Sequence, residues 1–129
     1  MSTHSTATFK IDSWDEEPHG EAGGVSRAAV KQTFSGDIEG AGQTEWLMCY
    51  RPDKTADFTG YLRLEGRIGD RSGAVVLRSS GAFDGKEASG PLTIVGGSGT
   101  GDLAGIAGRG TLSAPMGGEP SVSLDYDFD

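Results

Sequence analysis

The sequence predicts an all-β domain: one antiparallel eight-stranded barrel with a small central cavity. Three observations predict it. Apolar and polar residues alternate with period two in segment after segment, and no long segment has helical spacing. Glycine accounts for 22 of the 129 residues, against a usual share of about 7%. Those glycines are spread between short β-branched and aromatic runs, as many turns require. Strands with one dry face must close on something, and no helix is long enough to cover a sheet.

The first strand is TATFKIDSW, with Ala7, Phe9 and Ile11 inward and Thr8, Lys10 and Asp12 outward. Residues 1–5 before it are expected to be flexible, and residues 15–25 to form an acidic, glycine-rich loop at the barrel mouth. The second strand, SRAAVKQTFSGDIEG, puts Val30, Gln32, Phe34 and Ile38 on one face. The third, QTEWLMCYR, has Trp46, Met48 and Tyr50 on its bulkier side and Leu47 and Cys49 on the other. An oligomer interface, of a homodimer or homotrimer, would cover that outer side.

The fourth strand, DFTGYLRLEG, points Phe58, Leu62 and Leu64 inward. The fifth, AVVLRSSGAF, groups Val75, Leu77, Ser79 and Phe83. In the sixth, KEASGPLTIV, Pro91 cannot donate to a ladder and marks an edge, a bulge or a distortion. The seventh is GRGTLSA. The eighth, SVSLDYDFD, alternates Val122, Leu124, Tyr126 and Phe128 with serine and aspartate, the strongest period-two signal in the chain.

Charge and composition exclude several chemistries. A formal net charge of −8 repels phosphate backbones and acidic head groups, so neither nucleic acid nor membrane is an expected partner. A lone cysteine, Cys49, and a start without a basic region and apolar run suggest a reducing, cytoplasmic setting. GGSGTGDLAGIAG lacks the lysine of a phosphate loop and has Asp102 after its last GTG glycine; it reads as a corner, with Leu103 and Ile106 plugging one barrel end. His4 and His19 stand apart from any ligand cluster, so no metal and no cofactor are expected.

What remains are polar groups on dry faces. Gln32, Tyr50, Ser79 and Tyr126 each need a partner, and a few fixed polar groups in an apolar pocket are how small-molecule sites are built. Trp46, Phe34, Phe58, Leu62 and Leu124 would wall such a pocket. Glu17 or Trp14 would close its mouth, and Tyr126 and Glu17 are the candidates for acid–base work.

TFSGDIEG, DRSGAVVLRSSGAF and VGGSGTGDLAGIAG, with the earlier SWDEEP, resemble a family of small bacterial proteins of unknown function grouped structurally with allene oxide cyclase. The resemblance spans roughly residues 6 to 114. It implies an antiparallel barrel with a central cavity, often assembled as an oligomer. It implies no settled activity; allene oxide cyclase itself, and other barrels of this shape, fold a flexible apolar substrate so that it cyclises without a cofactor. Two positions depart from the family pattern: Leu62 stands where glutamate is usual, and Ser79 where histidine is frequent. Both changes dry the interior and favour shape over acid–base chemistry. Three functions remain open: such a cyclase, a non-catalytic carrier or sensor of a lipophilic metabolite, and a filled barrel serving as an interaction module.

Overall fold

Alternation carries through to a cylinder. The computed structural model describes residues 3–18 and 24–128, which form nine strands in one sheet. They are β1 (Thr3–Pro18), β2 (Val25–Gly36), β3 (Ile38–Tyr50), β4 (Ala56–Ile68), β5 (Arg71–Phe83), β6 (Glu87–Ile94), β7 (Thr100–Gly101), β8 (Ile106–Pro115) and β9 (Ser121–Phe128). The order β4-β3-β2-β1-β9-β8-β6-β5 closes through β4–β5 pairing, giving an eight-stranded antiparallel barrel. β7 is a two-residue addition beside the start of β5. Among the described residues, no helix is long and apolar enough to cross a membrane.

The chain departs from the sequence reading in four places. The second predicted strand is the end of one strand and the start of the next: it turns at Asp37, where Gly36 adopts φ 123°. Ile38 keeps the parity of Phe34 across that turn, so alternation alone did not reveal it. The expected flexible start is strand from Thr3, paired with β9 as far as Thr8. The expected mouth loop is also strand as far as Pro18; its remainder, residues 19–23 including His19, lies outside the described residues. The corner segment contains β7, and its Leu103 and Ile106 are fully buried. Opposite Pro91, the β5–β6 ladder is interrupted between the Ser79–Leu92 and Ala82–Ser89 pairs.

The interior has two halves. One end, where β2 meets β3 and β4 meets β5, is packed solid. There Ile38, Leu64, Ile68, Val75, Leu77 and Leu124 are each at most 2% exposed. A void among Phe34, Leu62, Leu92 and Leu124 measures ≈ 10 Å³, about the lower limit for one water. The other end is wider, because β1 runs on past β9. It is there that space for a ligand exists.

Candidate functional site

A bulge decides which side chains reach the open end. The β1–β2 register shifts between Ile11 and Ser13, leaving one extra residue in β1. Before it, Ala7 and Phe9 are buried. After it, parity reverses: Trp14, Glu16 and Pro18 stand opposite Val30, Ala28 and Ser26, all inward residues of β2. Glu17 stands opposite exposed Arg27, on the outer wall. The expected mouth carboxylate is therefore corrected by one residue, from Glu17 to Glu16.

The recess at this end has a volume of ≈ 280 Å³. That is just below the ~300–1,000 Å³ of typical ligand pockets. Its walls are apolar, from Phe9, Ile11 and Trp14 on β1 across to Phe83, Ala88 and Ala114 on the far side. Aromatic rings form the near wall. Trp46 meets Trp14 at 5.8 Å between ring centroids and Phe58 edge-on at 5.6 Å. Tilted and edge contacts are the arrangements that ring quadrupoles favour. Trp46 Nε1 donates to Ser79 Oγ at 3.2 Å, so the buried indole is held by a hydrogen bond as well as by packing.

Glu16 carries the polar rim. Trp14 Nε1 donates to its Oε1 at 2.8 Å, and Tyr50 OH donates to its Oε2 at 2.5 Å. Ser26 Oγ donates to the same Oε2. Partial burial pushes the Glu16 carboxyl up, but the three donated hydrogen bonds outweigh it and hold the group below its ordinary value. Tyr50 is pushed up to about 12, by burial first and then by its bond to the Glu16 anion. At neutral pH the carboxylate is charged and the phenol keeps its proton.

The remaining sequence candidates divide between the two halves. Trp46, Tyr50 and Phe58 line the recess. Phe34, Leu62 and Leu124 face inward but belong to the solid half. Ser79 reaches the recess only through Trp46. Gln32 is 2% exposed; its Oε1 accepts from Thr44 Oγ1 at 2.7 Å, and its Nε2 has no hydrogen-bond partner among the described residues. Tyr126 lies at the opposite end, where its OH shares a 2.9 Å hydrogen bond with buried Ser5. Glu17 stands on the outer wall at the recess end, so the two expected acid–base residues do not meet. Sequence reasoning missed Glu16 and Met48, as well as the far wall at Ala88 and Ala114. Only the bulge could have pointed to Glu16, and the sequence has no pattern that marks one.

A second hollow, ≈ 600 Å³, lies on the outer wall among Arg27, Glu45, Tyr61 and Arg63. It is a broad trough rimmed by solvated charges rather than a recess that could dehydrate a ligand.

A family profile described as "Protein of unknown function (DUF3224)" matches residues 5–126. Three solved chains match. One is a crystal structure from Shewanella oneidensis MR-1, described as a protein with unknown function from the DUF3224 family. It is 27% identical, with a TM-score of 0.84, over 100% of this chain and 98% of that one. No curated protein matches.

Proposed function

We propose, for a chain that belongs to the DUF3224 family, that the open end of the barrel binds a small, predominantly apolar molecule without acid–base turnover. The observation that carries this reading is the ≈ 280 Å³ apolar recess with the Glu16 hydrogen-bond cluster at its rim. Burial of apolar ligand surface supplies the affinity, at about 25 cal/mol per Å² before the costs of association. Glu16 and its donors orient whatever polar group the ligand carries.

The protonation states favour binding over catalysis. A general acid or base works best with a pKa near the operating pH. Glu16 is held low and Tyr50 high, and Tyr126 is at the wrong end. Cyclisation or isomerisation, if this barrel performs it, would therefore rest on shape and exclusion of water alone. The aromatic wall of Trp14, Trp46 and Phe58 is what favours that second reading.

Titration with a neutral, polarity-sensitive dye such as Nile red tests the site. The wild type is expected to bind, and Ala88→Phe, which fills the recess from its far wall, to weaken binding at least about tenfold. A thermal-shift screen of neutral apolar compounds extends the test: a ligand at ~100 times its dissociation constant adds about 2.7 kcal/mol. Absence of both dye binding and any melting shift would discard the reading. A bound compound recovered unchanged supports carriage; one recovered as an isomer supports the shape-directed cyclase.

A further inference from the structure

The seam that closes the barrel is only partly sewn. β1 pairs with β9 from Thr3 to Thr8, and the Phe9 N–H reaches Pro120 O at 3.0 Å. From Lys10 to Pro18, β1 is paired on its β2 side, while the side toward β9 meets no strand among the described residues. On a strand of fixed direction, residues facing the same way turn their N–H and C=O toward the same side. Phe9 faces inward and turns its N–H toward β9, so Ile11, Trp14, Glu16 and Pro18 present their main-chain groups to that open side. Pro18 has no N–H, which fits a position with no ladder partner.

The open edge borders the recess. Phe9, Ile11 and Trp14 line it from β1, and Leu112 and Ala114 line it from β8 across the gap. Ile11 and Trp14 are 43% and 42% exposed, a high value for large apolar side chains so close to a core. The outward row of the same segment is acidic: Asp15 and Glu17 are both exposed. Residues 10–18 carry four carboxylates and one lysine.

We propose that the free edge of β1 between Lys10 and Pro18 accepts an extended polypeptide segment of alternating basic and apolar residues as an added strand. Strand addition draws affinity from main-chain hydrogen bonds and specificity from alternate side chains. The apolar row of the incoming strand would fall over Ile11 and Trp14 into the gap. Its basic row would lie beside Asp15 and Glu17, where opposite charges on neighbouring strands are stabilising. A second copy is the disfavoured occupant, because pairing β1 with itself sets acidic segment against acidic segment. A bulge, edge charges and an edge proline are also the devices that discourage self-pairing. A basic partner turns the charges from deterrent to attraction. The inference rests on the strand edge and its charge, not on small-molecule binding.

The test uses an acetylated, amidated heptapeptide, KVKFKVK, titrated into the full chain by calorimetry. Binding is expected, and N-methylation of the alternate amides that face β1 is expected to weaken it at least about tenfold. A heptapeptide with aspartate in place of lysine is expected not to bind. Asp15→Lys combined with Glu17→Lys alters only exposed outer-wall residues, and should weaken KVKFKVK about tenfold while leaving Nile red affinity unchanged. Failure of KVKFKVK to bind, or equal binding of its N-methylated form, overturns the proposal whatever the dye does. Failure of the dye with success of the peptide overturns only the small-molecule reading.

Discussion

Two tyrosines illustrate how place decides chemistry. Tyr126 is 4% exposed and spends its hydroxyl on Ser5, sealing the solid end. Tyr126→Phe leaves Ser5 Oγ without that partner, and is expected to cost about 1–2 kcal/mol in urea unfolding with dye affinity unchanged. A loss of dye binding in that variant would place the ligand at the wrong end. Tyr50 instead serves Glu16 at the rim. Folding lowers the Glu16 carboxyl below its ordinary 4.5, so its contribution to stability is fully present above that value and is lost as the pH falls through the lower, folded one. Glu16→Gln removes that titrating contribution. Melting curves are expected to show the gap between wild type and Glu16→Gln widest at neutral pH and closing below about pH 4.5. A gap that stays constant into acid would mean the carboxylate is not held by its three donors.

At the scale of the element, alternation was readable wherever the strand is regular. Phe58, Leu62 and Leu64 on β4, and Val122, Leu124 and Tyr126 on β9, all point where period two puts them. Alternation fails where the backbone adds or reverses without changing parity. The turn at Asp37 returns Ile38 to the face of Phe34, and the bulge after Ile11 swaps the faces of everything beyond it. The first merged two strands in the reading; beyond the second, the segment reads as an acidic loop in which nothing sets Glu16 apart from Glu17. Glycine is where elements touch. A Cβ on Gly60 would lie 1.7 Å from the Glu45 carbonyl oxygen on β3, so the two strands could not keep their spacing. Gly60→Ala is expected to cost about 1–3 kcal/mol in chemical denaturation. Gly96→Ala, with nothing within 4 Å and no positive φ, is expected to change stability by less than about 0.5 kcal/mol.

For the whole molecule, eight strands with one dry face and no helix leave a barrel or a sandwich, and the glycines inside strands tip the reading toward a closed barrel. The position of the space within was not. Whether a lumen is filled depends on how side chains from strands distant in sequence interdigitate, and on where strand ends stop relative to one another. Phe34, Leu62 and Leu124 look like pocket walls in the sequence, yet they close on each other to leave ≈ 10 Å³. The recess exists because β9 begins at Ser121, opposite Thr8, while β1 continues to Pro18. Partial exposure of Trp14, which lies beyond the last β1–β9 pair, follows from the same mismatch in length.

Consecutive strands pair with one another around the barrel, apart from the small β7, and only β1–β9 joins the two ends of the path. A ribosome releases the chain in one direction. Seven staves can therefore assemble as they emerge, but the cask cannot be hooped until Ser121–Phe128 has left the exit tunnel. Throughout that interval the Thr3–Thr8 margin waits without its mate, and a nascent chain stalled just short of residue 121 would display it to any chaperone that reads bare strands.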